Sequence, residues 1–562
     1  MFKKTVALIL AVLTLIPVAM ISASAKTNSE FDLGFAVATD LHYVHPLEDA
    51  NARWSDTAEL TFGSSSAMQN ESGFIIDEFL RQCAENDECE HVFICGDIAT
   101  YSRERGNDQK EVAEKFKVFE KATGKQVYVI NGNHDNGAGS QVDSAKFREI
   151  YYELGYDKAF SVDESCCSYA TELNDKYVLI ALDSFDERYM LANGVDSARL
   201  KWVKEQADYA KKNGKYPIVI MHHNLLEHQP LETILNDKYI VSFPKTVASL
   251  FAEWGIKLVF SGHTHINDVA SYTTPTGKTV YDFCNAALNS YPLNYKTFKL
   301  TDEKISYETK SIEKIDYAAL SSVVKTGYTE HQIQLLNTDF KQFAKEYNVG
   351  NVLSLVTNGI SPELIGIDSD SALYAPVKKI TDALAILLKK PLYGENSISS
   401  QAARYSIDIP QTNYNDMSEL ITEIYCDVVS GDRNYEFDSP EIKIILAVVE
   451  TAINMGLSEE SDGKLRSIAD GINNVTRAKI SVNAVSAVEY LALAVVGPFL
   501  YEYINSTDGL NNLCGELDGY GVRTGISNTF DSLSMLVNKL ATYFEIIATM
   551  LKKSFGTLFG IA

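Results

Sequence analysis

Five apolar, β-type runs in the first half of this chain each empty into side chains able to hold a metal or move a proton, and this repeated ending limits the folds open to it. Phe35 to Thr39 runs into Asp40-Leu41-His42, His91 to Cys95 into Gly96-Asp97, and Gln126 to Ile130 into Asn131-Gly132-Asn133-His134-Asp135. Ile218 to Met221 leads to His222-His223-Asn224, and Lys257 to Phe260 to Gly262-His263-Thr264-His265. Helical spacing of apolar residues separates several of these runs, at Phe74 to Cys83, Glu111 to Lys121 and Leu200 to Lys212. Parallel strands joined by helices present their carboxyl ends together, so groups far apart in sequence can meet in one crevice. Tyr177 to Leu182 is a further strand closed by Asp183, which suits a helix cap or a supporting partner as well as a place in that crevice.

Beyond His265 the pattern becomes that of hairpins. Val269 to Thr273, a Pro275-Thr276-Gly277 turn, Thr279 to Phe283, Lys296 to Leu300 and Ile305 to Thr309 are expected to be antiparallel strands completing a second sheet. The fold expected for residues 32–312 is α/β, a two-sheet sandwich flanked by helices. Strand signals stop near Ser311 to Tyr317, and residues 316–562 read as an all-α C-terminal domain of unassigned role. Its predicted helices are Ala375 to Lys389, Asp416 to Val429, Ser439 to Asn454, Val482 to Ile504 and Thr529 to Leu558, with Pro376 and Pro440 placed for first turns. Leu491 to Leu500 is apolar but too short to span a bilayer. The last helix carries Leu533, Leu536, Leu540, Phe544, Ile547, Leu551, Phe555 and Leu558 on one stripe, which can pack on neighbouring helices or meet a partner or membrane surface.

Charge and cysteine content narrow the setting. Fifty Lys and Arg against 75 Asp and Glu leave a net charge of −25, which repels nucleic-acid polymers but not a small phosphate ester held by cations. Residues 1–25 have Lys3 and Lys4, an apolar run from Val6 to Ile21 and Ala23-Ser24-Ala25, the layout of a signal peptide cut before Lys26; an uncleaved anchor is the alternative. Cleavage would leave a secreted protein with no stable transmembrane span, free in solution or associated with the cell surface. The eight Cys dictate no framework: Cys83 and Cys89 can pair across a short acidic loop, Cys166 and Cys167 are adjacent, and none forms a zinc-type Cys-x-x-Cys pair.

Of the ten His, only His331 lies beyond His265, so imidazole chemistry belongs to the first half. Each motif alone is weak, since Asp-x-His and Gly-Asp are common; the five in this order are not. The set resembles the calcineurin-like metallophosphoesterase superfamily over about residues 32–312, and the fold is then its four-layer type. The resemblance implies one ion held by Asp40, His42, His265 and a shared Asp97, and a second by Asp97, Asn133, His222 and His263. His222 is preferred to His223 because the family's ligand precedes an x-Pro, although Asn224 holds that proline position. His134 is implied as the catalytic proton donor or transition-state stabiliser, with Asp135 able to orient its ring.

Such a site takes two divalent ions, Mn, Fe or Zn, about 3.5 to 4 Å apart and sharing a carboxylate, and a bridging hydroxide would attack phosphorus in line. Thr100-Tyr101-Ser102 stands where Ser/Thr protein phosphatases continue differently, and Thr100 fills the place of the purple acid phosphatase tyrosine, which argues against both. The motifs are more similar to the bacterial cyclic-nucleotide and glycerophosphodiester phosphodiesterase-like branch. The expected function is an exported dinuclear-metal hydrolase of small phosphodiesters or phosphomonoesters. The alternative is a surface binding or structural protein with a vestigial metal site.

Overall fold

A computed structural model describes residues 31–46, 67–100, 106–136, 142–185, 195–229, 238–320, 325, 327–358, 369, 374–432, 435–436, 439–457 and 512–518. The signal-peptide segment and the helices expected at Val482 to Ile504 and Thr529 to Leu558 lie outside these residues. Among the described residues, no helix is long and apolar enough to cross a membrane.

Two mixed sheets form the sandwich. The first contains β1 (Leu33–Ala38), β2 (His91–Cys95) and β3 (Gln126–Ile130), mutually parallel, and is continued on the far side of β1 by antiparallel strands. The second contains β4 (Ser161–Val162), β5 (Tyr169–Glu172), β6 (Tyr177–Ala181), β7 (Tyr216–Ile220), β8 (Leu258–Ser261), β9 (Asp268–Thr273) and β10 (Thr279–Cys284), in the order β4-β5-β6-β7-β8-β10-β9. Strands β6, β7, β8 and β10 run parallel to one another there, and the apolar runs of β6, β7 and β8 suit strands covered on both faces; β5 and β9 flank them antiparallel.

The hairpin expectation divides. Strands β9 and β10 do join the second sheet, but β11 (Asn294–Leu300) and β12 (Lys304–Ser311) belong to the first, where β11 pairs antiparallel with β1 in a register of Phe35 opposite Phe298. Aromatic packing between the sheets accounts for this placement: Phe298 stacks on Phe35 at 5.1 Å and meets Phe283 of the facing sheet edge-on at 5.2 Å. Phe35 in turn meets Phe260 of β8 edge-on at 5.3 Å. Moving this hairpin to the other sheet would take Phe298 from between Phe35, Phe260 and Phe283, each aromatic contact being worth about 0.5–1.5 kcal/mol beyond burial.

Helices Ser72–Glu85 and Asn107–Thr123 cover the first sheet, and Ser197–Lys212 and Pro244–Trp254 the second. Past residue 316 the described chain is largely helical, with Glu330–Thr338, Phe340–Asn358, Tyr374–Leu387, Ile398–Ala402, Met417–Ser430 and Pro440–Leu457. Asp416 caps Met417–Ser430 by accepting from the Glu419 N–H, and Gly431 ends it in the left-handed region. Among the described residues of this part, β13 (Cys514–Asp518) is a strand that pairs antiparallel with β12 and completes the first sheet as β13-β12-β11-β1-β2-β3. The late chain therefore returns to the sandwich.

Candidate metal centre

The carboxyl ends of β1, β2, β3, β7 and β8 converge, and each site residue lies within the turn that leaves its strand. Asp40, His42 and His265 form one group whose ligand atoms lie within 4.8 Å of one another, and Asp97, His222 and His263 form another. Asp97 stands between them, its Oδ2 3.2 Å from His222 Nε2 and 3.9 Å from His42 Nε2. Asn133 joins the second group, with Oδ1 3.1 Å from His222 Nε2, and His263 Nδ1 is 3.1 Å from that same nitrogen.

The turns are tight and conformationally costly. Asp40, His42, Asp97, His263 and His265 all have φ between 42° and 69°, the left-handed region that non-glycine residues rarely enter. Five such residues at one locus are strain held by surrounding structure, as functional sites often show. Close approach adds to it: a Cβ on Gly96 would come within 2.7 Å of the His222 ring, and one on Gly262 within 2.0 Å of Thr39 Oγ1.

Neighbouring groups orient the ligands. His222 donates from Nδ1 to the Cys95 carbonyl at 2.8 Å, which turns Nε2 toward Asp97, and His42 Nδ1 is 2.9 Å from Thr100 Oγ1. Thr39 and the His263 backbone N–H both donate to Asp40 Oδ2. The buried carboxylate of Asp135 accepts the backbone N–H groups of Gly132, Ile98 and Ala99, tying the Asp97 turn to the β3 turn. Burial, then the nearby charge of Asp97, pushes its carboxyl up to about 7 despite those bonds.

Burial would raise the carboxyl of Asp97, but His222 and His134 beside it hold it well below the ordinary carboxylate range; for Asp40, His265 and His222 do the same. Burial would lower His222, yet Asp97 and Asp40 lift it to about 9. His42 is pushed down to about 3 by burial, against the pull of Asp97, and His263 to about 3 by burial and the charge of His222. The centre thus collects two carboxylates and several imidazoles out of water, an arrangement that a cation would balance.

Two atoms test that idea. Asp40 Oδ1 and His42 Nε2 are buried and make no hydrogen bond of good geometry, and they face one another at 3.8 Å. Buried polar atoms are ordinarily satisfied, so a pair left over at a converging point fits a ligand that is not a proton donor. Carboxylate and amide oxygen with imidazole nitrogen is a donor set for Mn, Fe or Zn.

The remaining candidates separate. His223 turns from the ligand groups, its Nδ1 2.9 Å from Ser184 Oγ and its ring edge-on to His263 at 4.5 Å. Asp183 is structural: it accepts from Asn131, Phe185 and Cys167. His134 lies at the rim with its side chain 30% exposed; its backbone N–H donates to Asp97 Oδ1 at 2.8 Å and its Nε2 is 3.8 Å from Asp97 Oδ2. Sequence reasoning placed Thr100 at a motif position without its bond to His42, and did not find Tyr239, whose exposed ring lies 4.5 Å from that of His263. A single Tyr in a loop carries no periodic or motif signal.

A two-sheet α/β sandwich with paired carboxylate–imidazole groups at its strand ends is that of a metal-dependent phosphoric ester hydrolase. Residues 33–267 match the model of the calcineurin-like phosphoesterase family, and this part of the chain is a domain of that family. Among solved structures the chain is similar to a dimetal phosphatase from Danio rerio (11% identity, TM-score 0.33, covering 50% of this chain and 97% of that one). It is also similar to a 5'-nucleotidase from Candida albicans (11%, 0.28, 56% and 58%) and to phosphopantetheinyl hydrolase from Mycobacterium tuberculosis (10%, 0.24, 46% and 90%). No curated protein matches the chain.

Proposed function

We propose that this protein is an exported dinuclear-metal phosphoesterase acting on small phosphodiesters or phosphomonoesters. The observation that carries the reading is the position of Asp97 between the two ligand groups, since a carboxylate within reach of both suits a shared ligand. Asp40, His42, His265 and Asp97 would hold one ion, and Asp97, Asn133, His222 and His263 the other. Divalent ions bound there would supply Lewis-acid charge to phosphoryl oxygens and a more acidic coordinated water. His134, at the rim beside Asp97, would donate a proton to the departing oxygen or neutralise its charge. Asp40 and Asp97 would keep the ligand turns in register through their bonds to the His263 and His134 backbones.

The net charge of −25 favours small esters over polyanionic polymers. Export rests on the basic, apolar and small-residue succession of residues 1–25. The test is elemental analysis of the purified full chain, followed by turnover of bis(p-nitrophenyl) phosphate and p-nitrophenyl phosphate with Mn, Fe or Zn. About two ions per chain and metal-dependent hydrolysis are expected; a chain that takes up no ion and is inert with all three would refute the reading.

A further inference from the structure

We propose that the helical segment positions His265: the carboxyl end of helix Met417–Ser430 grips Asn267 and so fixes the turn Gly262 to His265 in its ligand geometry. This rests on the dinuclear reading of the site.

The two residues that follow His265 leave the sandwich for the helical core. Ile266 is buried in the apolar cluster formed by Leu387, Leu420, Ile424 and Val429. Asn267 is 1% exposed; its backbone N–H donates to the Val429 carbonyl at 3.1 Å and its Nδ2 to the Ser430 carbonyl at 3.0 Å. These are carbonyls of the last helical turn, which have no partner within their own helix and need outside donors. The helix end and the ligand turn thus satisfy one another.

Gly431 completes the grip. Its φ of +81° ends the helix, and a Cβ there would lie 2.4 Å from the Asn267 carbonyl oxygen, so the chains touch backbone to backbone. Asn512, just before β13, accepts the Val269 N–H at 3.0 Å and donates to the Gly431 carbonyl at 3.4 Å. His265 itself has φ of 58°, a conformation that needs its flanks held. His263 is anchored within the sandwich, its N–H by Asp40 and the Gly262 carbonyl by Asn224, whereas Asn267 reaches β12 with the longer bond from Nδ2 to Thr309 Oγ1 at 3.3 Å. Loosening the helical contact should therefore disturb the Asp40–His42–His265 group more than the Asp97–His222–His263 group, and Asn267 is a positioning residue for the former.

The test is Mn2+ titration by calorimetry on chelator-stripped full-length wild type, Asn267→Ala and Gly431→Ala, with thermal melts of each. Two binding steps are expected in wild type, and both variants should weaken one step about 10- to 100-fold, the range seen when groups behind a ligand are removed, while the other stays within about threefold. Gly431→Ala approaches from the helical side and touches no ligand, so agreement between the variants excludes a local effect of the Asn267 change. Unchanged affinities would overturn the proposal, as would equal weakening of both steps in proportion to a lowered melting temperature. A wild type with no Mn2+ uptake would instead remove the dinuclear reading on which the proposal stands, and the proposal with it.

Discussion

Oδ2 of Asp40 accepts the backbone N–H of His263 at 2.9 Å, joining residues 223 positions apart. Thr39 Oγ1 donates to the same oxygen at 2.8 Å, so the carboxylate is fixed with Oδ1 toward His265 Nε2 at 3.2 Å. One oxygen is thereby structural and the other is left for a cation. An Asp40→Asn substitution cannot serve both purposes: its amide nitrogen either opposes two donors or replaces the ligand oxygen. We expect kcat/KM to fall by at least about 100-fold, the upper end for losing a supporting group alone, with about one ion lost by elemental analysis. Retention of two ions and near-wild-type turnover would remove Asp40 from the ligand set.

The adjacent histidines make a sharper comparison. His222 Nε2 faces Asp97 and Asn133, whereas the His223 ring is bonded to Ser184. His222→Asn should lower kcat/KM by more than about 100-fold and weaken metal uptake, while His223→Asn should cost roughly tenfold or less through its contact with His263. Equal effects of the two changes would mean that the imidazole faces are not divided in this way.

His134 should behave differently from either. With its backbone holding Asp97 Oδ1 and its ring at the rim, His134→Ala keeps the backbone bond and loses only the imidazole. A fall in kcat of about 10² to 10⁴ with KM and metal content close to wild type is expected of a proton donor. Loss of metal in the same variant would make the ring a ligand instead.

Away from the site, Glu71 gives a pH dependence. It is 1% exposed and accepts from the Tyr328 hydroxyl of the helical segment; burial pushes its carboxyl up from 4.5 to about 7, against the effect of that bond. Between these values the folded chain keeps a proton that the unfolded chain has released. This contribution to stability is therefore complete below about 4.5 and is lost as pH rises through 7. Glu71→Gln retains an acceptor without the charge, and should be more stable than wild type above pH 7 by up to about 3 kcal/mol. Urea midpoints at pH 5 and pH 8 check the sign: the advantage should appear at the higher pH and shrink at the lower.

Much of this arrangement was legible because buried parallel strands read as unbroken apolar runs, as in His91–Cys95 and Gln126–Ile130, and because each run stops at a polar group that a core would not accept. What escaped depends on distant partners. The β11–β12 hairpin was expected in the second sheet, but its pairing with β1 is decided by rings on three other strands. Strand β13 lies where the sequence reads as helical and gains its reason from the open edge of β12. The backbone bonds of Asp135, which join the Asp97 turn to the β3 turn, likewise depend on residues 36 to 37 positions away that no local pattern announces. Positive φ at Asp40 or His265 leaves no trace either, since neither is glycine.

Gly132 offers the most direct check on that packing. A Cβ there would lie 2.2 Å from Asp97 Oδ1 and 2.5 Å from the Asp97 backbone nitrogen, contacts no real structure tolerates. Relief would have to come from the turn that carries Asp97, because a backbone nitrogen has no side-chain freedom with which to move aside. Gly214 is a control of opposite character, with φ of +69° but nothing within 4 Å of an added Cβ. Gly214→Ala should cost about 1–2 kcal/mol of backbone strain and leave kcat/KM unchanged. Gly132→Ala should cost a similar 1–3 kcal/mol through overpacking but lower kcat/KM about 100-fold or more, because the displaced group is Asp97. Denaturation midpoints matched against kinetics on both variants separate the cases: if Gly132→Ala loses activity only in step with stability, as Gly214→Ala would, the turn does not govern the position of Asp97.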